Sequence, residues 1–161
     1  MNRKLVAKVA TLFAVGLFVA SAAFAEGALC SDRLVAGVYG FTLEGTKLAG
    51  PPGTPVGSQV GVAMTQFDGK GGLTQIDSVT IGGIAVSDFT HSPATGSYTV
   101  NSDCTGNFQL IFTDGRPPVT ADFVVVEGGL EIDTVVTSAG GKQGILATRS
   151  TGKRQPLTSI W

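Results

Sequence analysis

The sequence predicts an all-β protein in which about eight antiparallel strands form a meander. From Ala36 onward, apolar and polar residues alternate with a period of two, which is typical of half-buried strands. Glycine-rich turns such as Asp68–Gly72, Gly82–Gly83 and Gly128–Gly129 separate these runs, and tight hairpins favour such turns because glycine tolerates a positive φ. Helix signals are almost absent after residue 30, and only the segment 84–93 is predicted to contain a short helical turn.

The alternation defines the predicted strands in chain order. They cover residues 36–44, 58–67, 73–81, 97–100, 107–113, 119–125, 130–136 and 143–149. A meander of this kind leaves two strand edges exposed unless the sheet closes on itself. Eight strands suffice to close a barrel around packed side chains or one small ligand. An up-and-down barrel is therefore predicted, and a two-sheet β-sandwich is the alternative because it shares the same alternation.

The first 25 residues have the pattern of a secretory signal peptide. Arg3 and Lys4 precede an apolar run over 9–20, and Ala23-Phe24-Ala25 matches the small-residue cleavage pattern. The run is shorter than the roughly 20 residues that span a bilayer. The expected organisation is a signal peptide at 1–25, a single β-barrel domain at 26–149 and a C-terminal extension at 150–161. We expect an exported protein, periplasmic or secreted, that meets the membrane only transiently during export.

The remaining chain has two cysteines, Cys30 and Cys104. An even number of cysteines in an exported protein favours a disulfide bond. The sequence therefore predicts a Cys30–Cys104 bridge, and two separate buried thiols are the alternative.

The charge pattern excludes one class of partner. Removal of the signal peptide takes away Arg3, Lys4 and Lys8, which leaves more acidic than basic residues. No basic stripe of the kind that binds nucleic acids remains. We expect no nucleic-acid partner.

No motif with a catalytic or metal-binding spacing is found. His91 is the only histidine, and the Gly-x-Ser-x-Gly pattern of a hydrolase nucleophile is missing, so His91 is predicted to lie in a solvated loop. One histidine and two paired cysteines are too few ligands for zinc. The segment Asp68–Gly72 is similar to part of a calcium loop, but Lys70 stands where an oxygen ligand is required, so a plain turn is predicted. No metal and no cofactor are expected.

Several carboxylates lie on predicted strands. They are Asp77, Asp122, Glu131 and Asp133. Solvated faces are the default for strand carboxylates, and a buried ionisable group would instead favour acid–base chemistry.

Two short segments resemble the calycin group of barrels, which includes the lipocalins and avidins. Gly37-Val38-Tyr39 stands where these proteins have Gly-x-Trp on the first strand. Arg149 on the last predicted strand stands where lipocalins pack a basic residue against that tryptophan. The segments Tyr39-Gly40-Phe41 and Gly96-Ser97-Tyr98 are also similar to those of uncharacterised exported bacterial proteins. The resemblance implies a calycin-like barrel, and it implies stacking between Tyr39 and Arg149.

Three functions are consistent with such a barrel. The first is binding of a small apolar ligand in the lumen, because pockets lined by apolar side chains take such ligands. The residues predicted to face the lumen are Tyr39, Phe41, Val60, Val62, Met64, Phe108, Phe112 and Phe123. The second is an enzyme resembling the allene oxide cyclases, which would require a buried polar or ionisable group at the floor of the lumen. The third is a non-catalytic envelope interaction or structural protein, which predicts a filled lumen and an exposed apolar patch.

Overall fold

The computed structural model describes residues 30–156, so the predicted signal peptide at 1–25 lies outside the described residues. The described chain is all-β. Its strands are β1 (Gly37–Lys47), β2 (Gly57–Phe67), β3 (Gly72–Ile81), β4 (Ile84–Ser87), β5 (Ala94–Val100), β6 (Thr105–Phe112), β7 (Val119–Val126), β8 (Glu131–Ala139) and β9 (Leu146–Arg154). The single 3₁₀ turn of this part of the chain covers Glu127–Gly129. Between residues 30 and 156, no helix is both long and apolar enough to cross a membrane.

Eight of the strands close into an antiparallel barrel. Strand β1 pairs with β2 on one side and with β9 on the other, and β2 pairs in turn with β3. Strands β5 to β9 each pair with the next, and β5 pairs with β3, which completes the circuit. The prediction of an up-and-down barrel is confirmed.

Strand β4 lies outside the barrel circuit and occupies the first part of the segment 84–93, for which a short helical turn is predicted; a single hydrogen-bonded turn, from the His91 N–H to the Asp88 carbonyl oxygen at 3.2 Å, follows it. Gly82 and Gly83 both have positive φ values, 57° and 81°. A two-residue loop with this geometry reverses the chain into a tight hairpin, so Ile84 pairs with Ile81 and β4 runs back along β3. The alternation in this segment is too short to distinguish a strand from a helical turn by sequence.

Ser92 fills a gap in the strand pairing next to β3. Strand β3 pairs with β5 over its first half and with β4 over its last three residues, which leaves the backbone of Asp77 without a strand partner on that side. The fully buried Ser92 hydroxyl accepts the Asp77 N–H at 3.2 Å and faces the Asp77 carbonyl oxygen at 2.5 Å. The hydroxyl also lies 2.7 Å from the Asp88 carbonyl oxygen, so its one O–H is shared between two carbonyl oxygens while its oxygen accepts the Asp77 N–H.

Replacing Ser92 with alanine is expected to lower the free energy of unfolding by about 2 kcal/mol, because two buried backbone groups lose their partner. Urea unfolding monitored by circular dichroism would measure the change. Ser97→Ala, at an exposed position on β5, is the matched control and should change stability by less than about 0.5 kcal/mol. Equal effects of the two substitutions would contradict this role for Ser92.

One end of the barrel is closed by the residues that precede β1. Cys30 and Cys104 lie at disulfide distance, with Cα atoms 5.0 Å apart, and form the predicted bridge to the turn between β5 and β6. The Asp32 carboxylate accepts the Val100 N–H at 2.7 Å, at the end of β5. Val35, in the same segment, is fully buried in the core. The chain before β1 therefore crosses the barrel end and is fastened to its far side.

Aromatic side chains form the core at the closed end. The ring of Phe67 makes edge-to-face contacts with Tyr39 and Tyr98, at centroid distances of 5.5 and 4.9 Å. The Tyr39 hydroxyl donates to the Gly129 carbonyl oxygen at 2.5 Å, and the Tyr98 hydroxyl donates to that of Asp32 at 3.1 Å. Burial raises the pKa of both phenols above the ordinary 10.0, so both stay neutral and able to donate.

The arginine that packs against Tyr39 is Arg154, which corrects the predicted Tyr39–Arg149 pair. The Arg154 guanidinium carbon lies 5.4 Å from the centroid of the Tyr39 ring, and its Nε donates to the Tyr39 hydroxyl at 3.0 Å. Arg149 instead lies on the outer surface and pairs with Glu44. The register explains the difference, because Tyr39 lies opposite Arg154 on β9, whereas Arg149 lies opposite Glu44.

Strand β9 also shows that the barrel ends later in the chain than predicted. Strand β9 continues to Arg154, so residues 150–154 are part of the barrel rather than of the C-terminal extension predicted to begin at 150. The prediction ends too early because Ser150 and Gly152 face inward. A small or absent side chain at these positions gives no apolar signal in the sequence.

Candidate functional site

A cavity of about 640 Å³ lies inside the barrel toward the end opposite the disulfide. Its rim includes Gly50, Pro51 and Pro55 from the loop after β1, and Gly115 and Pro117 from the turn after β6. Its apolar wall consists of Phe41, Leu43, Ala63, Phe67, Leu73, Val79, Ile81, Val86, Phe108, Leu110, Phe112, Val119, Val136, Ala139, Ile145 and Leu146. The volume falls within the roughly 300–1,000 Å³ of small-molecule pockets.

The predicted lumen residues divide into three groups. Phe41, Phe108 and Phe112 line the cavity. Tyr39 and Phe123 point inward and are buried, but they belong to the packed core rather than to the cavity wall.

Val60, Val62 and Met64 are on the outer face of β2, so their prediction as lumen residues is wrong. Their exposed fractions are 54%, 45% and 42%. The inward positions of this strand are Gln59, Gly61, Ala63, Thr65 and Phe67. Sequence reasoning assigned the more apolar face of β2 to the interior. A wall that borders an open cavity instead has small and polar residues inside, and those residues leave the space that bulky side chains would fill.

Polar side chains interrupt the apolar wall at two places away from the rim turn. The Thr148 hydroxyl donates to Gln59 Oε1 at 3.3 Å. The register places Gly45 of β1 between them, and the missing side chain at Gly45 lets the two residues meet across that strand. The hydroxyls of Thr134 and Ser150 lie 2.6 Å apart on β8 and β9.

A third polar group contains a buried ion pair. The side chain of Asp77 is only 3% exposed, and its two carboxylate oxygens each accept a hydrogen bond from Arg116, at 3.1 Å from Nη1 and Nη2. Arg116 also donates from Nε to Asp114 at 2.7 Å, and its guanidinium carbon lies 3.9 Å from the centroid of the Phe112 ring. This two-pronged geometry matches a planar guanidinium to a carboxylate. We name Thr65, Gln75, Asp77, Asp114 and Arg116 the rim network.

Sequence reasoning missed Asp77 as a site residue, because solvated faces are the default for strand carboxylates. The signal was present in the alternation of β3. Leu73, Val79 and Ile81 have the same parity as Asp77, and all three are buried. An acid on the apolar face of an amphipathic strand is therefore expected inside the barrel, where it requires a partner. Nothing in the sequence identifies Arg116 as that partner, because it lies in a turn 39 residues away.

The other residues considered for chemistry lie outside the cavity. His91 is in an exposed loop, where its Nδ1 lies 2.9 Å from an oxygen of Asp88, as expected for a solvated histidine. Hydrogen bonds from Thr90 and His91 lower the pKa of Asp88 to about 2.

The segment Asp68–Gly72 is the plain turn that the sequence predicts. Asp68 Oδ1 accepts the backbone N–H groups of Lys70 and Gly72, at 2.7 and 2.9 Å. These hydrogen bonds lower the pKa of the Asp68 carboxyl. Over residues 30–156, no group of three or more histidine, cysteine or acidic residues is placed to hold a metal ion.

Comparison of the chain with protein-family models gives no match. A search of curated protein sequences likewise gives no significant relative.

Proposed function

We propose that this protein is an exported β-barrel that binds a small, mainly apolar ligand in its lumen. The observation that carries the proposal is the cavity of about 640 Å³ between the walls of a barrel whose other end is fastened shut. Burial of apolar ligand surface against such a wall contributes about 25 cal/mol per Å² before the cost of immobilising the ligand. The signal-like residues 1–25 and the Cys30–Cys104 pair support an extracytoplasmic location.

The alternative functions have less support. An enzyme resembling the allene oxide cyclases would require a buried polar or ionisable group at the floor of the lumen. Phe67 and Leu73 form the floor, and the next inward pair along β2 and β3 is the polar pair Thr65–Gln75, which does not ionise. The ionisable Asp77 is engaged by Arg116. A structural protein with a filled lumen is disfavoured by the cavity, although Val60, Val62 and Met64 do form an exposed apolar stripe on β2.

The test uses N-phenyl-1-naphthylamine, a neutral apolar probe whose fluorescence rises when it leaves water. We expect saturable fluorescence with the purified protein. We expect Val136→Trp to weaken the binding at least about tenfold, because Val136 faces the cavity and a larger ring would occupy the ligand space.

Val135→Trp is the matched control. Val135 precedes Val136 on β8 and is exposed on the outer face, with 52% of its surface accessible. The same ring at this position should leave the affinity for the probe unchanged. Circular dichroism of both variants would verify the fold. Absence of saturable binding, or equal loss in both variants, would overturn binding in the lumen.

A further inference from the structure

The rim network gives the cavity a chemical polarity that an apolar wall alone would lack. Thr65 donates to Gln75 Oε1 at 2.9 Å, and Gln75 Nε2 lies 3.5 Å from Asp77 Oδ2. Asp77 in turn binds Arg116. All of these residues border the cavity, so a bound molecule would meet a connected chain of hydrogen-bonding groups along one side.

On the three strand residues Thr65, Gln75 and Asp77, the unused hydrogen-bonding positions are mostly acceptors, whereas the unused donors of the network are mostly on Arg116. A carboxylate offers about four acceptor positions. The Asp77 carboxylate receives two full-strength hydrogen bonds, both from Arg116, and a long contact from Gln75. The Oε1 atom of Gln75 receives one hydrogen bond, from Thr65. Acceptor positions therefore remain on two cavity-facing side chains, one of them almost fully buried.

The charge of the network disfavours an anionic ligand. Asp77 and Asp114 both bind the single guanidinium of Arg116, so the three groups together carry a net negative charge. Lys47 also borders the cavity and, within the described residues, forms no ion pair with either carboxylate, so it is the cation that a ligand carboxylate would have to reach instead, and competition by dodecanoate tests this. A ligand carboxylate placed at the rim network would be a third anion around one guanidinium, and like charges in a buried site repel strongly.

We infer that the ligand has an apolar body and a hydrogen-bond-donating head, of the alcohol class, and that its O–H donates to the Asp77 carboxylate next to Gln75. This inference rests on the proposed function, and it adds the chemical class of the ligand. The apolar body lies against the aromatic wall formed by Phe41, Phe108 and Phe112. The O–H of the head fills one of the free acceptor positions on Asp77.

The experiment compares three competitors for displacement of N-phenyl-1-naphthylamine. They are 1-dodecanol, its isomer 1-methoxyundecane, which has the same atoms but no O–H, and dodecanoate. We expect 1-dodecanol to displace the probe at concentrations about tenfold lower than either of the others, because hydrogen bonds to charged groups contribute strongly and only the alcohol is a neutral donor. Asp77→Asn should reduce the preference for the alcohol over the ether to about twofold or less. Thr74→Val, on the outer face of the same strand, should retain the full preference.

Two results would overturn the ligand class while leaving the proposed function intact. They are equal displacement by the alcohol and the ether, and displacement by dodecanoate at a concentration equal to or lower than that of the alcohol. If the probe and all three competitors fail to bind, the proposed function falls and the inference falls with it. The isomer pair is measured on the unaltered protein, so the outcome does not depend on whether Asp77→Asn folds.

Discussion

Replacing both Cys30 and Cys104 with serine should lower the free energy of unfolding by about 4 kcal/mol. The two cysteines are 74 residues apart in sequence. Joining them limits the conformations of a long loop in the unfolded chain, and the resulting stabilisation for a loop of this size is about 4 kcal/mol. In the folded protein the bridge also holds the chain before β1 across the end of the barrel.

Urea unfolding of the oxidised protein and of the double variant would measure the difference. The m-value should rise in the variant as well, because an unfolded chain without the bridge exposes more surface. The unaltered protein, unfolded in the presence of a reductant, is the control and should reproduce the lower stability. A loss of less than about 1 kcal/mol would contradict a stabilising role for the bridge.

Arg154→Ala should cost about 3 kcal/mol, whereas Arg149→Ala should cost less than about 1 kcal/mol. Arg154 donates to the buried Tyr39 hydroxyl at 3.0 Å and to the Leu34 carbonyl oxygen at 2.5 Å. Hydrogen bonds from a charged donor contribute about 1.5–3 kcal/mol each, and the stacking on the Tyr39 ring adds to them. Arg149 forms a surface ion pair with Glu44 in which both side chains are mostly exposed, and such pairs contribute little.

Thermal or urea unfolding of the two single variants would decide between these roles, since both arginines lie on β9 and the substitution is the same. Arg154→Lys is a further variant. It keeps the charge but cannot donate along the guanidinium plane, so we expect it to recover only part of the lost stability. A larger loss of stability in Arg149→Ala than in Arg154→Ala would contradict the stabilising role of Arg154 at the closed end of the barrel.

The strands and their closure could be predicted from sequence because alternation and glycine turns are local signals. The same signals do not state which face of a strand is inside. On β1 the apolar face is the inner face, as Tyr39 and Phe41 show. On β2 the more apolar face is outside. The inner face carries the small residues Gly61, Ala63 and Thr65, which leave space for the cavity. The general tendency of apolar residues to be buried does not predict where a strand borders a cavity and has small residues inside.

The parts of the site that sequence could not provide depend on register across the barrel. Arg149 and Arg154 are both basic and five residues apart, and only the pairing of β1 with β9 determines which one meets Tyr39. Asp77 and Arg116 meet because the turn after β6 reaches the same rim as the middle of β3. Such contacts depend on the complete fold, and no periodic pattern in the sequence predicts them.

The pairing of β1 with β9 also has a consequence for the order in which the molecule can fold. Tyr39 and Arg154 are 115 residues apart, and the strands that carry them are the first and last of the barrel. Until the last strand has been synthesised, one edge of β1 has no partner, and an unpaired edge is a site for aggregation. Contacts of such long sequence separation slow folding. The barrel can therefore close only when β9 is available to pair with β1, and any partly folded form before that step is an open sheet with one unpaired edge on β1.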